Sequence, residues 1–175
     1  LASSFAAAAC PDATDLAKGI EFRTSGGDVE VHRKLRPDWI TISVIFPDGD
    51  GSVLEMYHGM YMLSAIPIEG GVPKPGQRED YADVSELTQW PRPTPDTSWT
   101  NTTPSGGIAV SGALETKMIA GCRYDSVQVD VQFADDPTYT ETYAYLPELG
   151  LGLLVKTVAS DGTDTYSYIS VKASE

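Results

Sequence analysis

Histidine is nearly absent from this sequence of 175 residues, cysteine occurs only twice, and basic residues are scarce: 12 Lys and Arg stand against 25 Asp and Glu. The resulting net charge of -13 argues against nucleic acid or an anionic lipid surface as a partner, because both require Lys and Arg to neutralise phosphates. No C-x-x-C pair occurs, His32 and His58 stand far apart, and Glu55-x-x-His58 is not the H-E-x-x-H zinc helix, so neither a metal nor a cofactor is expected. Gly-x-Ser-x-Gly is missing as well, with only Val110-Ser-Gly112 echoing its end. No apolar run approaches the roughly 20 residues of a membrane-spanning helix. Pro147 also breaks the strongest candidate, residues 144–155, "AYLPELGLGLLV". Within it, Gly150-Leu-Gly152 lacks the third glycine and the following helix of a dinucleotide loop.

What is present fits one ordinary globular domain, with 41% apolar and 21% charged residues. The opening "LASSFAAAAC" reads either as the end of a secretory signal with a cut at Ala9 or as a short Ala-rich helix. Residues 10–19, "CPDATDLAKG", carry a proline early, acids in the first turn, Lys18 late and Gly19 as a stop, which predicts a short N-terminal helix. In an exported protein the simplest use of Cys10 and Cys122 is a disulfide. The rival is lipidation of Cys10, although Ala7 stands where a lipobox has Leu.

From Ile20 onward the apolar period is two. Ile40, Ile42, Val44 and Phe46 share one face of a predicted strand, and Val127, Val129, Val131 and Phe133 share one face of another. Asp161-Gly162 between alternating segments predicts a tight hairpin. Residues 69–107 form a Pro/Trp-rich stretch, "GGVPKPGQ" to "WPRPTPDTSW", with a short helix expected at residues 81–87, begun by Glu79 or Asp80. Proline donates no ladder hydrogen bond, so regular interior strands are not expected there. The two halves echo one another: Ile42-x-Val44-x-Phe46-x-Asp48 corresponds to Val129-x-Val131-x-Phe133-x-Asp135, Glu55-x-Tyr57 to Glu141-x-Tyr143, and Gly59 to Gly150. The expected fold is mainly β: an antiparallel sandwich, open barrel or strongly curved sheet of about eight to ten strands, forming one domain over residues 20–175.

"CPDATDLAKGIEF", "GMYML" and the Tyr-x-Pro-x-x-Gly corner in "YLPELGLGLLV" resemble uncharacterised exported β-rich proteins of Gram-negative bacteria. A looser likeness, of pattern alone, is to periplasmic lipoprotein carriers with a curved sheet that hold acyl chains. The first resemblance implies a periplasmic or secreted protein and carries no activity.

The candidate binding residues are aromatic or bare. Trp90 and Trp99 bracket a segment expected to be exposed, where tryptophans either close over an apolar cavity or plug the sheet's open edge. Tyr143 shares a strand face by parity with Tyr139 and Tyr145, and Gly150 and Gly152 strip side chains from one face of the last long apolar strand. Asp48-Gly-Asp50-Gly-Ser52 has alternating oxygen ligands but lacks the calcium loop's third acid, so it is read as a turn. The histidines are read as strand surface residues. These features favour a non-enzymatic extracytoplasmic carrier for an apolar or amphipathic small molecule. The alternatives are a cell-envelope protein-protein interaction module and a hydrolase whose Ser/His/Asp set assembles only in space.

Overall fold

A computed structural model describes residues 9–101 and 107–175, the side chain of Asn101 excepted. The reading of residues 1–8 as a signal remnant lies outside the described residues. Fourteen strands are present among those described: β1 Ile20–Thr24, β2 Val29–Arg36, β3 Trp39–Ile45, β4 Gly51–Tyr57, β5 Tyr61–Glu69, β6 Val72–Pro73, β7 Glu79–Asp80, β8 Ser98–Asn101, β9 Gly107–Ile119, β10 Cys122–Phe133, β11 Thr140–Leu146, β12 Leu151–Ala159, β13 Gly162–Thr165 and β14 Tyr168–Ala173. One helix, α1, covers Val84–Leu87. The count exceeds the expected eight to ten because the Pro-rich region contributes β6, β7 and β8, and the C-terminal segment adds β13 and β14. Glu79 and Asp80 pair with Ala65 and Ser64 of β5, so the helix starts later than the sequence implied.

The strands form two antiparallel sheets, one curled into a half-barrel. The first runs β14-β1-β2-β3-β4-β5-β6, with β7 also on β5; the second runs β13-β12-β11-β10-β9-β8. Each is thus a meander of six consecutive strands, and β14 returns to β1 through the pairs Ile20–Ala173 and Phe22–Val171. The echo seen in the sequence has a topological counterpart: β3-β4-β5 and β10-β11-β12 occupy equivalent places in the two meanders. Gly59 and Gly150 open the third strand of each set with nearly identical φ, +66° and +67°.

Two apolar cores result. The first gathers Phe22, Ile40, Ile42, Met56, Leu151 and Leu153, and the second gathers Trp39, Tyr61, Trp90, Val127, Val129, Val131 and Tyr145. Strand β10 serves both. Cys122 and Tyr124 enter the first core, whereas from Val127 onward the odd positions enter the second. The phase change coincides with a register shift, because Val127 pairs with Leu114 but Val129 with Ser111, leaving an extra residue on β9. Such a bulge bends a strand and re-aims its side chains.

The N-terminal helix expected over residues 10–19 does not form; a 3-10 turn at Asp15–Ala17 stands in its place. Asp12 Oδ1 accepts from the amide and hydroxyl of Thr14, while Asp15 Oδ2 accepts from the Asp12 amide, so local turns take the amides a helix would use. The segment is pinned rather than free. Leu16 is buried in the first core, Tyr124 Oη donates to the Pro11 carbonyl at 2.9 Å, and Cys10 is bonded to Cys122 across a separation of 112 residues. The thiol that lipidation would need is therefore engaged. Closing a loop of that length stabilises by about 5 kcal/mol on chain-entropy grounds.

Candidate functional site: a cleft between the two sheets

The bare glycine face of β12 is filled by the protein itself. A Cβ at Gly152 would stand 2.4 Å from Met60 Cγ, and one at Gly59 would stand 2.7 Å from Leu151 Cα. The Gly152 amide donates to the Gly59 carbonyl at 3.2 Å. Only glycine permits backbones to approach so closely, so these two residues weld the sheets together at one point. Gly152 is therefore a packing contact and not a ligand surface.

Beside this weld the sheets diverge and leave a cleft of about 150 Å³. Met60, Tyr61 and Met62 come from the first sheet, Val131, Phe133 and Glu141 from the second, while Leu87 and Trp90 close it from α1 and the turn after it, with Tyr81 and Asp135 also in its wall. Trp90 is 4% exposed and stacks on Tyr61, ring centroids 4.8 Å apart and 31° from parallel. The Pro-rich segment thus tucks its first tryptophan inward. The order Leu87-x-x-Trp90 explains how: one turn of helix starting at Val84 puts both side chains on the cleft, and the Trp90 amide donates to the Leu87 carbonyl at 2.9 Å.

Glu141 is the polar group of the cleft. Its Oε1 accepts from Tyr139 Oη at 3.0 Å and its Oε2 from Tyr143 Oη at 2.6 Å. Burial pushes its carboxyl above the ordinary range, against the two phenolic donors that pull it down. Tyr143 itself is shifted far upward, first by burial and then by the Glu141 charge. Tyr61 is also raised by burial, partly offset by the nearby Trp99 indole N–H.

A second polar group lies behind the Tyr61–Trp90 pair. His58 and Asp38 both adopt left-handed backbone, φ +51° and +64°, and the His58 amide donates to the Asp38 carbonyl at 2.6 Å. Arg92 Nη2 donates to Asp38 Oδ1 at 2.7 Å, and the Tyr57 ring centre lies 4.0 Å from that of His58. Burial lowers the His58 imidazole to about 4, outweighing the attraction of Asp38. His32 is fully buried too, 3.0 Å from Glu30 Oε2 and edge-on to Phe22. Neither histidine is the surface residue the sequence suggested: His58 sits in a turn packed under aromatic rings, and His32 faces Phe22 through the curl of β2 against β1. No Ser or Cys is hydrogen-bonded to either histidine among the described residues. No group of three or more His, Cys, Asp or Glu there could hold a metal ion.

The other expected residues are dispersed. Trp99 sits on β8 opposite Ala109 and packs against the second core without lining the cleft. Tyr143 touches the cleft only through its bond to Glu141. Gly150 lies in a separate polar cleft with Lys34, Arg36, Asp38, Arg92 and Glu148. In the Asp48–Asp50 turn, Asp50 Oδ1 accepts from the Gly70 amide and Asp48 Oδ1 from the Asp50 amide, so these carboxylates organise backbone. Sequence reasoning misses Met60, Phe133 and Glu141 as site residues. The available signal was Glu141 itself, an acid sharing the parity of Tyr139 and Tyr143 on an otherwise aromatic face.

Compared with protein-family models, curated proteins and solved structures, this chain matches none. No helix among the described residues is long and apolar enough to cross a membrane.

Proposed function

We propose that this protein is a non-enzymatic binding module that holds a small apolar or amphipathic molecule in the cleft between its sheets, and that it works outside the cytoplasm. The observation that carries the reading is the wall of that cleft: two methionines, four aromatic residues, Leu87 and Val131 around one half-buried carboxylate. Binding sites of this kind are apolar hollows with few polar groups, and methionine adapts its shape to varied ligands. The volume narrows the ligand. Space of about 150 Å³ accepts a benzene-sized ring, so a single ring or short chain fits and a full acyl chain does not. The Cys10–Cys122 bond supports an oxidising compartment.

Native mass spectrometry of protein purified without denaturant tests the reading, together with a Leu87→Trp variant that fills the cleft. A co-purifying small molecule that the variant loses is the expected result. Protein that binds no apolar probe, with the variant indistinguishable from it, would reject the proposal.

A further inference from the structure

Resting on the reading of the cleft as a binding site, we infer that its ligand carries a cation, a protonated amine or quaternary ammonium, joined to a small apolar body. Glu141 is half-buried, and its only partners among the described residues are two phenolic hydroxyls. Among the described residues no Lys, Arg or His forms an ion pair with it. A carboxylate removed from water without a cation is costly, and proteins ordinarily pair it. The cleft supplies no such partner from its own wall, which contains no basic residue while Asp135 adds a second carboxylate.

The aromatic rings make the same demand independently. Tyr61 and Trp90 lie nearly stacked, and Tyr81 and Phe133 complete the wall. Ring faces carry the negative end of the aromatic quadrupole, so they attract cations that have shed their water. An anion would meet two carboxylates and no basic residue in this wall. A neutral ring would gain the apolar contact but leave Glu141 without a counter-charge. The net charge of -13 further raises the local concentration of cations at the mouth.

Calorimetric titration of the intact, disulfide-bonded protein with three probes of one shape tests this: 2-phenylethylamine, 2-phenylethanol and 3-phenylpropanoate. The amine is expected to bind about tenfold more tightly than the alcohol, with no binding of the carboxylate. Glu141→Gln, which keeps an acceptor oxygen for one tyrosine and offers an N–H to the phenolic oxygen of the other, should reduce the amine to the level of the alcohol. Asp135→Asn, at an exposed position, should weaken the amine by a factor of about two to three. Equal affinity for amine and alcohol, or indifference of the amine to both substitutions, would overturn the cation inference yet leave the binding cleft standing. Failure of all three probes would remove the binding reading and this inference with it.

Discussion

Replacing Gly59 by alanine separates the close sheet contact from the backbone preference of its turn. Gly59 and Gly150 share nearly the same φ, +66° and +67°, yet a Cβ at Gly150 would meet nothing within 4 Å whereas one at Gly59 would press on Leu151 Cα at 2.7 Å and Cβ at 2.9 Å. Gly150→Ala therefore measures the left-handed backbone alone, about 1–2 kcal/mol. Gly59→Ala adds overpacking against a neighbour whose backbone cannot swing away, typically a further 1–3 kcal/mol, for a total of about 2–5 kcal/mol. Part of that excess would come from stretching the Gly152 amide to Gly59 carbonyl bond. Urea unfolding at neutral pH, with the disulfide intact, reads both values. In a chain of this size each kcal/mol also lowers Tm by roughly 2–4 °C. If the two variants lost the same stability within about 0.5 kcal/mol, the sheets would not be joined at this point.

The remaining predictions concern charge, covalent closure and the sheet edge. Because burial holds the folded His58 near pH 4 while the unfolded group titrates at its ordinary value of 6.5, its contribution is present above about pH 6.5 and is lost as pH falls from there toward 4. The loss approaches 3 kcal/mol. Glu141, raised by burial, acts with the opposite sign, so the His58 part is isolated as the difference between wild type and His58→Asn in urea melts at pH 7.5 and 4.5. Cys10→Ser with Cys122→Ser should lower stability by up to about 5 kcal/mol, read by the same melts, with an unchanged value arguing that the N-terminal segment is not a constraint. Strand β8 pairs with β9 from Gly107 to Val110, leaving the later part of β9 with exposed Leu114 and Met118 on either side of Glu115 and Lys117. Charges guard such edges, so Glu115→Thr with Lys117→Thr should promote self-association in analytical ultracentrifugation.

The strands were legible where one face is buried throughout. Ile40 and Ile42 enter the first core and Val127, Val129 and Val131 the second, as period two requires. Bulges hide from that rule. The shift between Thr142 and Tyr143 lets β11 bury consecutive residues, and the one on β9 passes β10 from one core to the other. The disulfide followed from compartment and number, but the pinned N-terminal turn did not, since helix signals in residues 10–19 could not register Asp12 and Asp15 capturing local amides. Trp90 stands out in the sequence as a tryptophan in a Pro-rich stretch, and its burial beside Tyr61 depends on a contact across roughly thirty residues that no local pattern encodes. Glu141 carries the chemistry of the cleft for the same nonlocal reason: its surroundings come from both sheets and from α1.

The four methionines offer the most direct measurement. Met60 and Met62 line the cleft, Met56 lies in the first core outside the cleft wall as the cross-strand neighbour of Met62, and Met118 stands 66% exposed on the surface. In methyl-13C methionine spectra titrated with 2-phenylethylamine, saturable shifts of Met60 and Met62 are expected, larger than any at Met56, while Met118 stays in place. Four unmoved methyls, or a response led by Met118, would contradict a binding cleft between the sheets.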